Sequence, residues 1–365
     1  MYMDLNLFVL IYILFFIFSI KIGLFERKGL ILINEGKYGL KLMKSLSKKF
    51  NWNFFIYPSI ILGYLGSFFM LYILIDSLFS KTASVSPVIP GVRIPGSEFF
   101  LPFWYGLLAI FLLLIIHETA HGVISYYYGV NVKSSGFGLL TILPFAFVKP
   151  EERKLNKLNS FKKVAIYSAG AFANILTAVL ATLAIFSLSF YVADQVEIDN
   201  LEVNYLIEDY PISSSELAVG DKITHLDNMP VNDYSKIFNS KNKGDSIIIE
   251  TESGKTFDVN SVYIDEANPA KFGIGFQLNY DSSNNFISLI LNLISFLYYF
   301  SILSIGVGLF NLLPLGPLDG GKMFYELSGK IFGKYYQNKV FIYVSLITFL
   351  LLIWSLLRPI TQTFI

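Results

Sequence analysis

Three ionisable residues stand together in a stretch that is otherwise apolar. The segment Leu112 to Val130 reads LLLIIHETAHGVISYYYGV and carries His117, Glu118 and His121. The chain has only 3 histidines, so two of them fall here. On a helix, residues four apart share one face, one turn apart, and both imidazoles then point the same way. Two imidazoles at that spacing suit one Zn²⁺, and a glutamate one residue along can reach a water beside it. This is the metalloprotease reading of H-E-x-x-H. The bland alternative is a pair of satisfied core histidines. The apolar surroundings weigh against it, because a charged side chain in a membrane-length segment costs about 2.5–3.5 kcal/mol on insertion scales.

A catalytic zinc takes three protein ligands and keeps one position open. The chain has no cysteine, which excludes disulfides, thiol catalysis and Cys-ligated metal. The third ligand must therefore be His, Asp, Glu or Asn. The candidate is Asp319 in NLLPLGPLDGGK, Asn311 to Lys322. Pro314, Gly316, Pro317, Gly320 and Gly321 interrupt a helix there and let a carboxylate turn inward. The competing reading of Asp319 is a capping residue at a helix start. The third histidine, His225, falls on an expected strand in a polar stretch and reads as a surface or structural residue.

The elements that must position these groups are membrane helices. The chain is 54% hydrophobic and 15% charged over 365 residues, where ordinary globular proteins are about a quarter charged. It holds 35 Phe and 23 Tyr, which suits lipid contact and interfacial belts. The net charge of +1 gives no field for nucleic acid, and no nucleic-acid partner is expected. The fold class expected is an α-helical polytopic membrane protein with six spans: Leu5–Phe25, Phe55–Phe79, Pro102–Tyr128, Val164–Val192, Phe286–Leu313 and Val340–Leu357. Each has about 18 or more mainly apolar residues, enough to cross the hydrocarbon core. The first starts with Asp4 and lacks a small-residue cleavage site, so it reads as a span and not as a cleaved signal. Gly136–Val148 is too short to span and contains Pro144. It reads as a re-entrant or interfacial loop, tolerated at depth only where protein or a water cavity satisfies its backbone.

Basic residues choose the orientation. Lys37, Lys41, Lys44, Lys48 and Lys49 follow the first segment, Lys133, Lys149, Arg153, Lys154 and Lys157 follow the third, and Lys322, Lys330, Lys334 and Lys339 precede the sixth. The positive-inside rule puts these connections in the cytoplasm and both termini outside. The zinc residues then sit toward the cytoplasmic side of a multi-pass cell-membrane protein, and the basic stretch Lys37–Lys49 is placed to lie on anionic lipid.

Gln195–Asn285 is different in composition. Turn signals at Gly220-Asp221, Asp227-Asn228, Gly244-Asp245 and Ser253-Gly254 separate short β-prone runs such as SIIIET and KTFDV. A small β-rich soluble domain outside the membrane is the simplest reading. The division expected is a membrane part over 1–194 with the HETAH helix, the soluble domain over 195–285, and a second membrane part over 286–365 with the LDG motif.

HETAH in a membrane segment, followed by NLLPLGPLDGG in a later one, resembles the site-2 protease family of intramembrane zinc metalloproteases, over most of the chain from the third segment onward. The resemblance implies one Zn²⁺ per chain held by His117, His121 and Asp319, with Glu118 as the catalytic residue. It implies hydrolysis of peptide bonds within or beside transmembrane segments of membrane-protein substrates, as in regulated intramembrane proteolysis. Gly170-Ala171-Phe172-Ala173-Asn174 occupies the place of a family motif that usually has proline where Ala171 stands. Asn174 is retained, which implies a substrate-positioning carboxamide; helix–helix contact is the other use of such a residue. GFGLLTILPFAFVKPEE is similar to the family's membrane re-entrant β-loop, whose strand edge would be offered to substrate. SSSELAVGDKITHLDNMPVNDYSKI with Gly244-Asp245, Gly254-Lys255 and GIGF resembles a PDZ domain, which implies capture of extended peptide ends or segments. Two rivals remain. A peptidase of the prenyl-protein-processing kind would take a downstream glutamate ligand and has no need of LDG. A non-catalytic membrane adaptor or metal transporter with a PDZ sensor has no need of Glu118.

Overall fold

The computed structural model describes residues 23, 25–29, 31–79, 88–92, 99–140, 143–193, 198–206, 210, 212, 215–241, 244–260, 272–280 and 285–362. The expected first span, Leu5–Phe25, lies outside the described residues apart from Gly23 and Phe25. The chain divides into two compact units, Met1–Ile185 with Ser295–Ile365, and Phe186–Ile294.

Among the described residues, the elements of the first unit are β1 (Glu26–Lys28) and β2 (Ile31–Gly36), followed by α1 (Leu40–Lys49) and α2 (Asn53–Asp76). Then come α3 (Phe103–Tyr127), β3 (Val132–Leu140), β4 (Leu143–Pro150), α4 (Glu152–Lys157) and α5 (Ser160–Ala193). Further along the chain are α7 (Asn285–Asn311), α8 (Asp319–Ile331) and α9 (Gly333–Gln362). Among the described residues, five helices are long and apolar enough to cross a membrane: α2, α3, α5, α7 and the Gly333–Leu357 part of α9. The five expected spans from Phe55–Phe79 onward have their counterparts here, with edges moved. The last helix starts at Gly333 and not at Val340, because Lys334, Tyr335 and Gln337 are helical residues that an apolar window passes over. Helix α3 ends where Gly129 takes φ +76, and Val130 N–H bonds back to the Ser125 carbonyl at 2.9 Å, a left-handed cap that glycine supplies without strain.

The stretch Gly136–Val148, expected as a re-entrant or interfacial loop and similar to a β-loop, is part of a β-hairpin, β3 and β4, which extends past both expected ends. It belongs to a four-stranded antiparallel sheet in the order β1-β2-β3-β4. The strands β1 and β2 come from a stretch that charge reading treats only as a basic connection. Pairing satisfies the hairpin's backbone on the β3 side and leaves β4 at the sheet edge. Helix α1 packs Met43 against α3, and a Cβ at Gly122 would meet Met43 Sδ at 2.4 Å. Met43, Ile56, Val123, Ile124, Ile166, Ala169 and Phe172 form one buried cluster joining α1, α2, α3 and α5, with Val148 of β4 packed against it. Buried hydroxyls pair between helices, as Ser59 Oγ with Ser168 Oγ at 2.9 Å, which suits helix packing where water is scarce.

The second unit is β-rich. It contains β5 (Ile198–Leu206), β6 (Lys222–Leu226), β7 (Met229–Pro230), α6 (Tyr234–Ser240), β8 (Ser246–Thr251), β9 (Thr256–Asn260) and β10 (Ile274–Tyr280). The order is β10-β5-β6-β8-β9, with β7 paired to β6. Asp227 and Asn228 both take positive φ, +50 and +61, between β6 and β7, as a tight hairpin turn requires. In β8 the residues alternate between half-buried and buried, and Leu201, Val203, Ile223, Leu226, Ile247 and Ile249 build the core.

Candidate active site

Helix α3 is apolar along nearly its whole length, and His117, Glu118 and His121 are its histidines and its one acidic residue. Both imidazoles are buried, with ring centroids 4.7 Å apart. The third member arrives from far along the chain. Leu312 and Leu313 end the α7 turn, and α8 begins at Asp319. Two glycines make that start fit. A Cβ at Gly320 would lie 2.0 Å from the Leu312 carbonyl oxygen, and one at Gly321 would lie 2.5 Å from Leu315. Without side chains there, the first turn of α8 closes onto the preceding segment and Asp319 is turned inward, where it is buried.

Asp319 Oδ2 lies 3.1 Å from His117 Nε2 and 3.0 Å from His121 Nε2. These three ligand atoms lie within 4.8 Å of one another, and no other such group occurs among the described residues. Tetrahedral zinc with bonds of about 2.0–2.2 Å sets neighbouring ligand atoms about 3.3 Å apart, so the spacing fits. Proton accounting also favours a cation. His121 Nδ1 lies 2.7 Å from the Ile166 carbonyl, and only as a donor can it satisfy that oxygen. A neutral His121 then presents a lone pair at Nε2 toward the carboxylate oxygen, which is also an acceptor. A metal between them, or a second proton on the ring, removes that conflict. A ring nitrogen fixed by a carbonyl on its far side is the usual setting of a metal-bound histidine.

Helix α5 forms the pocket's other wall through three residues spaced by four. Ile166 gives its carbonyl, Gly170 gives space, and Asn174 gives a carboxamide. A Cβ at Gly170 would lie 2.3 Å from His121 Nε2 and 2.6 Å from His117 Nε2. Asn174 is buried, its amide nitrogen is placed 3.3 Å from His117 Nδ1, and its Oδ1 has no partner among the described residues. The two ends of a carboxamide are assigned from the hydrogen-bond network. Turned by half a rotation, Oδ1 accepts from His117 Nδ1–H, and His117 also presents a lone pair at Nε2. Ser304 of α7 donates to the Asn174 backbone carbonyl at 3.0 Å and so ties α7 to this wall.

Two further contacts complete the site. Glu118 Oε2 accepts the backbone N–H of Val148 in β4 at 2.8 Å. Lys322, one turn after Asp319, donates to Asp319 Oδ1 at 3.0 Å and lies 5.8 Å from the centre of the Tyr167 ring. The structure therefore brings together His117, Glu118, His121, Asn174 and Asp319. His225 is not a member of that group; it lies on β6 of the second unit, half-exposed, with Thr224 Oγ1 3.2 Å away. Sequence reading misses the Ile166 carbonyl, the Val148 N–H and the role of Lys322, and names Gly170 only as part of a motif. Backbone groups leave no sequence signal, whereas the four-residue spacing of Gly170 and Asn174 is visible.

The comparisons agree with this geometry. The profile of peptidase family M50 matches residues 105–355, a span that holds the histidine pair and Asp319. An uncharacterized protein of Methanocaldococcus jannaschii is 29% identical over 325 residues, 86% of this chain and 81% of its own length. A Clostridium perfringens protein named "Putative zinc metalloprotease" is 21% identical over 321 residues, 68% of this chain and 94% of its own. Among solved structures, the PDZ domain of an SdrC-like protein from Listeria monocytogenes is matched over 22% of this chain and 92% of that one. Its identity is 25% and its TM-score 0.20, a likeness too slight to bear on the fold. With more than half of its length inside the family profile, the chain belongs to peptidase family M50, the site-2 protease family of zinc metalloproteases.

Proposed function

We propose that this protein is an intramembrane zinc endopeptidase of the site-2 type, with His117, His121 and Asp319 as the ligands of one Zn²⁺ per chain and Glu118 as the catalytic residue. The observation that carries the reading is the meeting of Asp319 with two imidazoles about 200 positions earlier, beside a glutamate. Bound there, the zinc supplies Lewis acidity, making a water acidic enough to lose a proton near neutral pH and polarising the scissile carbonyl. Glu118 takes the proton from water and passes it to the leaving amine. Lys322 neutralises the second carboxylate oxygen of Asp319. One end of the Asn174 carboxamide holds His117, and the other, buried without a partner among the described residues, is the end available to an unwound substrate segment.

Substrates on this reading are transmembrane proteins. A helix must open before its carbonyls can be attacked, and the outer edge of β4 offers an extended partner. The basic connections support a cytoplasmic side for the site and an extracytoplasmic side for the β-rich unit, where that unit would take peptide ends or segments. The adaptor or transporter reading gives Glu118 nothing to do.

Zinc content, measured on detergent-purified protein beside cleavage of a tagged single-span reporter, tests the proposal. The expected result is about one zinc per chain, lost or weakened in His117→Ala and Asp319→Ala. Glu118→Gln should retain zinc while cleavage falls about 10²–10⁴-fold, the usual weight of a general acid–base. Zinc indifferent to Asp319 would sink the ligand set. Undiminished cleavage by Glu118→Gln would sink the mechanism.

A further inference from the structure

The edge strand β4 touches the site through its backbone. Along β4, alternate residues turn their N–H and C=O groups toward β3 or away from it. Pro144, Ala146, Val148 and Pro150 fall on one parity. Pro144 and Pro150 have no N–H to lose, so they suit positions that face away from the ladder. The Val148 N–H points away from β3 as well, since it meets Glu118 Oε2 at 2.8 Å. Ala146 and Val148 are therefore the residues of this outer edge that can donate, and one of the two donors is already taken by the site.

We infer that the Val148 N–H is a positioning group for catalysis, aiming the Glu118 carboxylate and dividing the β4 edge into a catalytic slot at Val148 and a docking slot at Ala146. The inference rests on the peptidase reading above. A glutamate side chain has three torsions, and α3 fixes none of them at its tip. A charge-assisted bond from a backbone N–H fixes one carboxylate oxygen and leaves the other free. The donor is itself held in place, because β4 pairs with β3 through seven consecutive residues, Leu143 to Lys149, and the Val148 side chain packs against the cluster that joins α1, α2, α3 and α5. The hairpin is thus a fixed part of the catalytic apparatus as well as a surface for substrate. An extended substrate pairing with β4 takes its N–H from Ala146, in register with a carboxylate already aimed.

Proline scanning along the outer parity tests this. Val148→Pro removes the donor at a position whose neighbours in parity are already proline. Ala146→Pro removes the other outward donor. With the same tagged reporter, Val148→Pro should lower kcat by about 10–100-fold, the range seen when a supporting partner of a site is lost, with KM within about twofold and zinc retained. Ala146→Pro should instead raise KM and spare kcat. Equal kcat in Val148→Pro and wild type would overturn the inference, and so would a rise in KM alone in both variants, which leaves β4 a docking edge only. Should Val148→Pro fail to fold, single-residue amide exchange in intact protein decides. The Val148 amide should exchange about tenfold faster or more in Glu118→Ala than in wild type, with Phe147 and Lys149 unchanged. Identical exchange overturns the contact. A wild type that holds no zinc and cleaves nothing sinks the peptidase reading itself, whereas an active wild type matched by Val148→Pro sinks this inference alone.

Discussion

The described residues build two antiparallel sheets, and they are stabilised in different ways. The sheet of the second unit draws every strand from residues 198–280 and closes over its own buried cluster, including Leu201, Ile223, Leu226, Ile247 and Ile249. The sheet of the first unit pairs β2 with β3, Ile31 opposite Leu140 and Gly36 opposite Ser135, across about a hundred intervening residues. It has no comparable cluster of its own among the described residues. Its β4 leans instead, through Val148, on the helix cluster that includes α3, the helix of His117, Glu118 and His121. The first sheet is therefore part of the site, and damage to either should reach the other. The second should fail by itself.

The sharpest break in that comparison comes at Gly170. Alanine is a better helix former than glycine by about 1 kcal/mol, so Gly170→Ala should leave α5 intact. Its Cβ would nevertheless lie 2.3 Å from His121 Nε2 and 2.6 Å from His117 Nε2. Zinc affinity should fall by at least the roughly 10–100-fold that losing a supporting partner costs, with the helical signal and the melting of the β-rich unit unchanged. Chelator competition on purified protein measures this. Full zinc affinity in Gly170→Ala would show that α5 does not form the wall of the pocket.

This site also shows what a sequence can and cannot disclose. His117, Glu118 and His121 are legible because a four-residue spacing on a helix is geometry already. Asp319 is legible because prolines and glycines around a carboxylate mark a broken helix. Asn174 follows from the family motif, but its contact with His117 Nδ1 does not. The Ile166 carbonyl and the Val148 N–H have no side-chain signature, so no residue pattern announces them. The strands β1 and β2 escaped for a related reason: ERK and ILINEG are short, and one of them is mostly charged. β1 pairs with β2, and β2 is held in the sheet by a hairpin beginning at Val132. In the second unit the turns and alternation are local, and there the sequence reading of strands was close.

An equal and opposite test lies in the core of that unit. Ile249 is fully buried on β8. Ile249→Ala should destabilise by about 2–5 kcal/mol, the usual cost of a core truncation to alanine. Scanning calorimetry of the intact protein should show a lower-melting transition for the β-rich unit, with zinc content and reporter cleavage of a short-tailed substrate unchanged. Loss of zinc in this variant would mean that the two units depend on each other for folding, and the contrast between the sheets would collapse.

The smallest expected effect refines the same contrast by pH. Asp227, at the β6–β7 turn, is partly shielded from water, which pushes its carboxyl up, but the Lys241 ammonium and the Ile248 N–H at 2.9 Å outweigh that and hold it below the usual range. A carboxyl whose pKa is lower in the folded state favours folding above its unfolded value, about 3.9, and loses that contribution as pH falls through the folded value. The β-rich unit should therefore lose stability below about pH 4. Asp227→Asn retains an acceptor for Ile248 but loses the ion pair, so it should cost up to about 1 kcal/mol at pH 7 and flatten the acid limb of the melting profile. Lys241→Met should flatten the same limb in part, because it removes the ammonium and leaves the Ile248 N–H on the carboxylate. An acid limb unchanged in both variants would assign the pH response to other carboxylates of the unit. Asp227 would then act only through its positive φ and its bond to Ile248, as a turn residue.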